Sequence, residues 1–175
     1  EDSALFYGTQ ARLQGVPTLR QRAGEAFTAW LREKYGSEAA LREAWGENAL
    51  NSFLGEGFTD ESWDRSTIVP AGNPWFYDPA QLAGAMRDRA QRLHDTMRFL
   101  YEQQNDFYSR YDRAIRDAGY EGEVLASNWQ AGRAFSHFYN LHSDALIGIV
   151  DRHNYFDGIG NTMLARPGSG LLSSG

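Results

Sequence analysis

The chain has 175 residues, 14% of them aromatic, no cysteine and a formal net charge of −6. That length holds one domain with a sizeable core. The acidic balance, with no basic run, argues against nucleic acid as a partner, and no apolar run approaches the roughly 20 residues of a membrane span. Without cysteine, disulfides and thiolate zinc sites are excluded, and the compartment stays open.

The sequence begins at Glu1 rather than Met and shows no signal-peptide pattern. It is therefore expected to start inside a longer chain. Residues 1–18 have no clear period and read as a loop or strand exit. From about Leu19 a helix is expected, because Phe27, Trp30, Leu31 and Tyr35 recur at three- and four-residue spacing. Gly36 ends it as a left-handed cap. Ser37 then caps a short helix from Glu38 to Trp45, stopped by Gly46.

Residues 47–77 are irregular, with Gly55, Gly57, Pro70, Gly72 and Pro74 set among six aromatic residues. Long stretches without their own period are functional or disordered, and aromatic richness speaks against disorder. This segment reads as an ordered, ligand-facing loop excursion. Asp78-Pro79 starts the next helix. Helical spacing from Leu82 through Met97, Phe107 and Ile115 carries it to Gly119, about 40 residues or about 60 Å. Its apolar stripe reads as core.

Glu123 to Ala126 is a short strand ending in Ser127, Asn128 and Trp129. A helix follows with Phe135, Phe138, Tyr139 and Leu141. A second strand holds Ile147, Ile149 and Val150 and ends in Asp151, Arg152, His153 and Tyr155. Strand, helix, strand in this order is a βαβ unit with parallel strands. Two parallel strands cannot make a stable sheet alone, and a (β/α)8 barrel takes about 250 residues. The expected fold class is therefore α/β, a segment of a TIM (β/α)8 barrel. Residues 1–175 would be part of one catalytic domain, with 47–77 an excursion within it.

In such a barrel the carboxyl ends of the strands form the active face. His153 and Tyr155 are two apart and share a strand face. Together with Asn128 and Trp129 they offer hydrogen-bonding groups beside a stacking surface, which suits a polyol such as a sugar. The competing reading is that they cap strand ends and satisfy local backbone groups. Asp157 follows the rim and is a further candidate contact. Asp60, Glu61 and Asp64 read as solvated, and Glu121 and Glu123 as structural. A metal set from His142, Asp144, Asp151 and His153 is a weaker alternative.

The stretch FTAWLREKYGSEAALREAWG, residues 27–46, resembles the segment after the acid/base strand in glycoside hydrolase family 42 and related retaining enzymes of clan A, agarase- and cellulase-type enzymes among them. The order of excursion, long helix and an Ser-Asn strand end is similar as well, over residues 1 to about 156. The resemblance implies a chain running from the end of barrel strand four through strand six. Glu1 would be the general acid/base. Asn128 and Trp129 would end strand five, and His153 and Tyr155 strand six, as substrate-binding residues. The nucleophile would be a Glu on strand seven, beyond Gly175.

The implied activity is hydrolysis of β-glycosidic bonds in an oligo- or polysaccharide with retention, using two carboxyl groups about 5 Å apart. The acid must stay protonated near neutral pH, through burial or a neighbouring carboxylate. A free N-terminal ammonium beside Glu1 would favour its ionised form. The segment alone is therefore expected to be inactive and to need the rest of the barrel. No cofactor and no metal are expected, the cysteine cluster that binds zinc in many family 42 proteins being absent; the resemblance implies a carbohydrate as partner and an extracellular or periplasmic location. The alternative is a non-catalytic carbohydrate-binding domain.

Overall fold

The structure, a computed structural model, describes residues 8–46, 50–73, 75–127 and 134–151, leaving aside the side chains at 54 and 134–137. Among the described residues six helices follow one another: α1 (Thr9–Gly15), α2 (Pro17–Tyr35), α3 (Glu38–Trp45), α4 (Pro79–Ala83), α5 (Ala90–Asp117) and α6 (Ala134–Ile147). Short 3-10 turns stand at Leu54–Glu56 and Arg87–Arg89.

The expected α/β barrel segment is overturned: helix accounts for 64% and strand for 2%, and the described residues hold no sheet. The two expected strands meet in one isolated parallel bridge, Leu125 to Ile149, on either side of α6. Neither stretch forms a strand, and no ladder extends from the bridge. Parallel sheets persist where both faces are covered. Here Leu125 and Ile149 remain 49% and 50% exposed, so nothing among the described residues rewards a longer pairing.

Residues 9–15, expected as loop, form α1. Leu13 is its one buried residue, too little to leave an apolar period. Pro17 splits α1 from α2: it needs no amide partner and its fixed φ suits the first helical position. Val16 between them is extended, yet its amide still reaches the carbonyl of Arg12 at 2.9 Å. The next stops follow the sequence closely. Gly36 adopts φ 73° and closes α2 with a 2.9 Å bond to the Arg32 carbonyl. Ser37 accepts from the Ala40 amide at 3.2 Å, and Asp78 accepts from the Ala80 amide at 2.9 Å.

The expected 40-residue helix is broken near its start. Gly84, at φ −113° and ψ −111°, leaves the helical region. The amides of Gly84 and Met86 turn back to the carbonyl of Gln81. Only α5, with 28 residues, runs to the expected end, where Gly119 at φ 92° closes it. The apolar spacing continued across the break because Leu82 on α4 and Leu93 and Met97 on α5 enter the same core cluster.

Two apolar clusters flank α5. One gathers Phe27, Leu31, Leu41, Trp45, Ile68 and Phe99. The other takes Leu13, Leu93 and Met97 together with Phe53, Phe58 and Tyr77. The aromatic excursion is thus folded inward, not turned toward a ligand: Phe53, Phe58, Ile68 and Tyr77 are all fully buried. Trp75 is its large exposed aromatic.

Buried charge fixes this loop to α5. Both guanidinium ends of Arg92 bind both oxygens of Glu61, a paired geometry that suits burial. Arg92 also donates to the Val69 carbonyl at 3.2 Å and stacks over Phe53 and Trp45. Glu61 accepts from the amides of Asn51 and Val69. One turn further along, buried Asp95 accepts from Trp45 Nε1 at 2.7 Å, from Tyr35, Gln91 and Lys34. That carboxylate ties α2 and α3 to α5.

Candidate functional site

Beyond Gln104, α5 leaves the core. Phe107 and Tyr111, one turn apart, are 54% and 56% exposed. Residues at this spacing lie over one another on a helix, and their rings stack at 5.9 Å between centroids with 19° between planes. Leu13 of α1 and Leu19, Ala23 and Ala26 of α2 line the same groove as this ladder, with Thr9, Arg12 and Arg22 among them. Phe99, Leu100 and Gln104 form the floor. The groove between them encloses about 1050 Å³. Volumes of this order, mostly apolar with a few placed polar groups, are those of small-molecule sites.

Val124 to Ser127, Ile147 and Asp151 also line the groove. The Leu125–Ile149 bridge holds these two segments side by side. It requires glycine at 148, since a Cβ there would lie 2.2 Å from the Val124 carbonyl oxygen. Asp151 is the one carboxylate among the described residues lining the groove.

Gln104 is the unusual polar group. It is 4% exposed, lines the groove, and its Nε2 donates to the Tyr108 hydroxyl at 3.3 Å. Its Oε1 is buried with no partner among the described residues. Turning the amide over changes which end is left without a partner, not the fact of it. A buried amide oxygen left unbonded costs about 1–3 kcal/mol.

Of the residues expected to form the site, Glu1, Asn128, Trp129, His153, Tyr155 and Asp157 lie outside the described residues. Ser127, which precedes Asn128, and Asp151, two before His153, both line the same groove. Of the alternative metal set, His153 lies outside the described residues, and His142, Asp144 and Asp151 do not form a group placed to hold a metal. His142 is exposed, and its Nδ1 sits 2.6 Å from the Tyr101 hydroxyl. Among the described residues no group of three His, Asp or Glu side chains is placed to hold a metal. Asp60, Asp64, Glu121 and Glu123 are exposed, but Glu61 is buried against Arg92.

Gln104 was missed by sequence reasoning, although its signal was present. It stands four residues after Leu100 and seven after Met97, in the register of the apolar stripe. A polar side chain at a core position is either paired or functional. Glu61 left no such signal, because it lies in a segment without a period.

Three shifted titrations belong to side chains in or beside the core. Burial pushes the Tyr77 phenol well up. Burial, then Asp95, raises Tyr35. Lys34 is opposed by burial, but its bond and charge pairing with Asp95 carry it upward. The chain matches no family model, no curated protein and no solved structure.

Proposed function

We propose that the chain handles a β-linked saccharide where Ser127 and Asp151 line the groove. The observation that supports this is the Leu125–Ile149 bridge, which brings Ser127 and Asp151 to one cavity. Asn128 and Trp129 continue the chain directly from Ser127, and His153 and Tyr155 follow Asp151 by two and four residues. These are hydrogen-bonding and stacking side chains of the kind a sugar ring takes.

Retaining hydrolysis, implied by the resemblance of residues 27–46, needs two carboxyl groups about 5 Å apart. In this reading Glu1 is the acid/base and the nucleophile is a Glu beyond Gly175. Saccharide binding is the part that the groove supports, and the hydrolytic step rests on the resemblance. The test is titration of methyl β-glycosides and β-linked disaccharides of glucose and galactose into the chain, followed by NMR. Shifts at Ser127 and Asp151, weakened about tenfold or more by Asn128→Ala or Tyr155→Ala, are expected. No response to any of these sugars ends the proposal. In a longer polypeptide that hydrolyses aryl β-glycosides, Glu1→Gln is expected to slow the reaction by about 10²-fold or more. An unchanged rate removes Glu1 from the chemistry.

A further inference from the structure

We infer that the saccharide taken by the groove is acidic, a β-linked uronic acid whose carboxylate is bound by Arg12. This deepens the saccharide reading above and rests on it. The groove carries an excess of one charge. The break at Pro17 lets α1 pack against α2, and Arg12 and Arg22 of these helices line one cavity. Against them stands the carboxylate of Asp151, alone among the described lining residues. The chain as a whole is at −6, so the cavity has the opposite sign to the molecule around it. A cleft with a local excess of positive charge concentrates anions.

Arg12 is the guanidinium that has a charge to offer. Arg20 donates to the carbonyls of Gly57 and Thr59, Arg32 to that of Trp63, and Arg22 pairs with Glu25 at 3.0 Å. The Arg12 side chain is exposed and makes no hydrogen bond or ion pair among the described residues. One unpaired guanidinium balances one negative charge, and its planar fork matches a planar carboxylate with two parallel N–H···O bonds. The rest of a uronic acid is served by the same lining. Gln103, Tyr108 and Ser127 carry amide and hydroxyl groups, and Phe107 and Tyr111 offer ring faces to the C–H side of a sugar.

The test compares pairs that differ only at C6: methyl β-glucoside with methyl β-glucuronide, and methyl β-galactoside with methyl β-galacturonide. Binding to the full chain is measured by calorimetry in about 20 mM salt. The uronides are expected to bind roughly three- to tenfold tighter than their neutral partners. In about 500 mM salt that difference is expected to fall below about twofold. Arg12→Gln removes the difference and leaves both the neutral glycosides and the urea midpoint unchanged. Arg113→Gln, which removes an exposed charge of α5 outside the groove lining, leaves the difference in place. If uronides bind no tighter than neutral glycosides, or their advantage does not weaken with salt, the acidic class is refuted while the saccharide reading stands. The same holds if the advantage survives Arg12→Gln or is lost equally in Arg113→Gln, since the charge is then read elsewhere. If acetate alone binds as tightly as the uronides, the sugar plays no part and both readings fall. Both also fall if no glycoside of either series binds.

Discussion

The two halves of α5 serve two different surroundings. Its first half, with α2, α3 and residues 50–77, closes a core in which Phe27, Leu31, Leu41, Phe53 and Phe58 are wholly buried. Charges inside that core are bonded on several sides, as at Arg92–Glu61 and Asp95. The second half lines the groove together with the bridge segments, and the polarity is inverted in α6, which meets α5 at Tyr101. Asn140, Ser143 and Asp144 of α6 are buried, while Phe138 and Leu146 are 58% and 62% exposed. A helix that buries its polar residues and shows its apolar ones takes its stability from something other than a closed core. The first region reads as scaffold, and the second, with the groove, as the region that presents apolar surface to a ligand.

The sharpest way to break this comparison is through the buried ion pair. Glu61→Ala leaves the Arg92 guanidinium buried without its carboxylate, which costs about 3–5 kcal/mol. It is expected to lower the urea midpoint by most of the chain's stability. A loss below about 1 kcal/mol would mean that water reaches Arg92, and that the scaffold is no more closed than the groove.

Paired truncations sharpen it next. Leu31 is fully buried on α2 and Leu146 is mostly exposed on α6. Leu31→Ala is expected to cost about 2–5 kcal/mol, and Leu146→Ala less than about 0.5 kcal/mol. Equal costs in chemical unfolding would show that the α6 face is covered in solution.

Gly148→Ala acts at the boundary. The added methyl meets the Val124 carbonyl oxygen, so the Leu125–Ile149 bridge must open. Because the bridge is exposed, the opening is expected to be local, with a global loss of roughly 0–1 kcal/mol. Faster amide exchange confined to residues 124–126 and 148–150 is the expected reading. Exchange accelerated along α2 or α3 would couple the two regions and remove the distinction between them.

The same contrast explains what could be read from the sequence. The caps at Gly36, Ser37, Asp78 and Gly119 were legible because each is a local decision of one residue about its own backbone. The buried face of α2 was legible from spacing. The break at Gly84 was not, because α4 and α5 bury their apolar residues against one cluster and keep a common register across a changed path. The excursion misled for a related reason: Phe53, Phe58 and Tyr77 are core without periodicity, and the Glu61–Arg92 pair that fixes them spans 31 positions. The strands expected from Glu123 to Ala126 and around Ile147 to Val150 did not form: Ile147 ends α6, and one isolated bridge, Leu125 to Ile149, is what the two stretches share. A sheet depends on neighbours that no short run specifies. For the site, the register of Gln104 was legible and the lining supplied by α1 was not, since α1 has one buried residue and no period.

The smallest effect tests whether the scaffold is as complete as it looks. Tyr77 is fully buried, and its hydroxyl has no partner among the described residues. Gly72, at φ 148°, leaves just enough room beside it, for a Cβ there would lie 2.8 Å from that hydroxyl. An unbonded buried hydroxyl is a standing cost. Tyr77→Phe removes it for the loss of one oxygen's contacts, and is expected to stabilise the chain by about 1 kcal/mol. The pH dependence has a definite sign. Burial raises the Tyr77 phenol above its ordinary value, as Tyr35 and Lys34 are raised near Asp95. Above about pH 10 the unfolded chain releases protons that the folded chain keeps, so stability falls as pH rises. Without the Tyr77 phenol that fall is shallower, and the advantage of the variant grows between about pH 8 and about pH 10.5. Urea midpoints at the two pH values measure it. A constant difference means that the Tyr77 hydroxyl meets solvent and that the scaffold, like the groove, is open at that point.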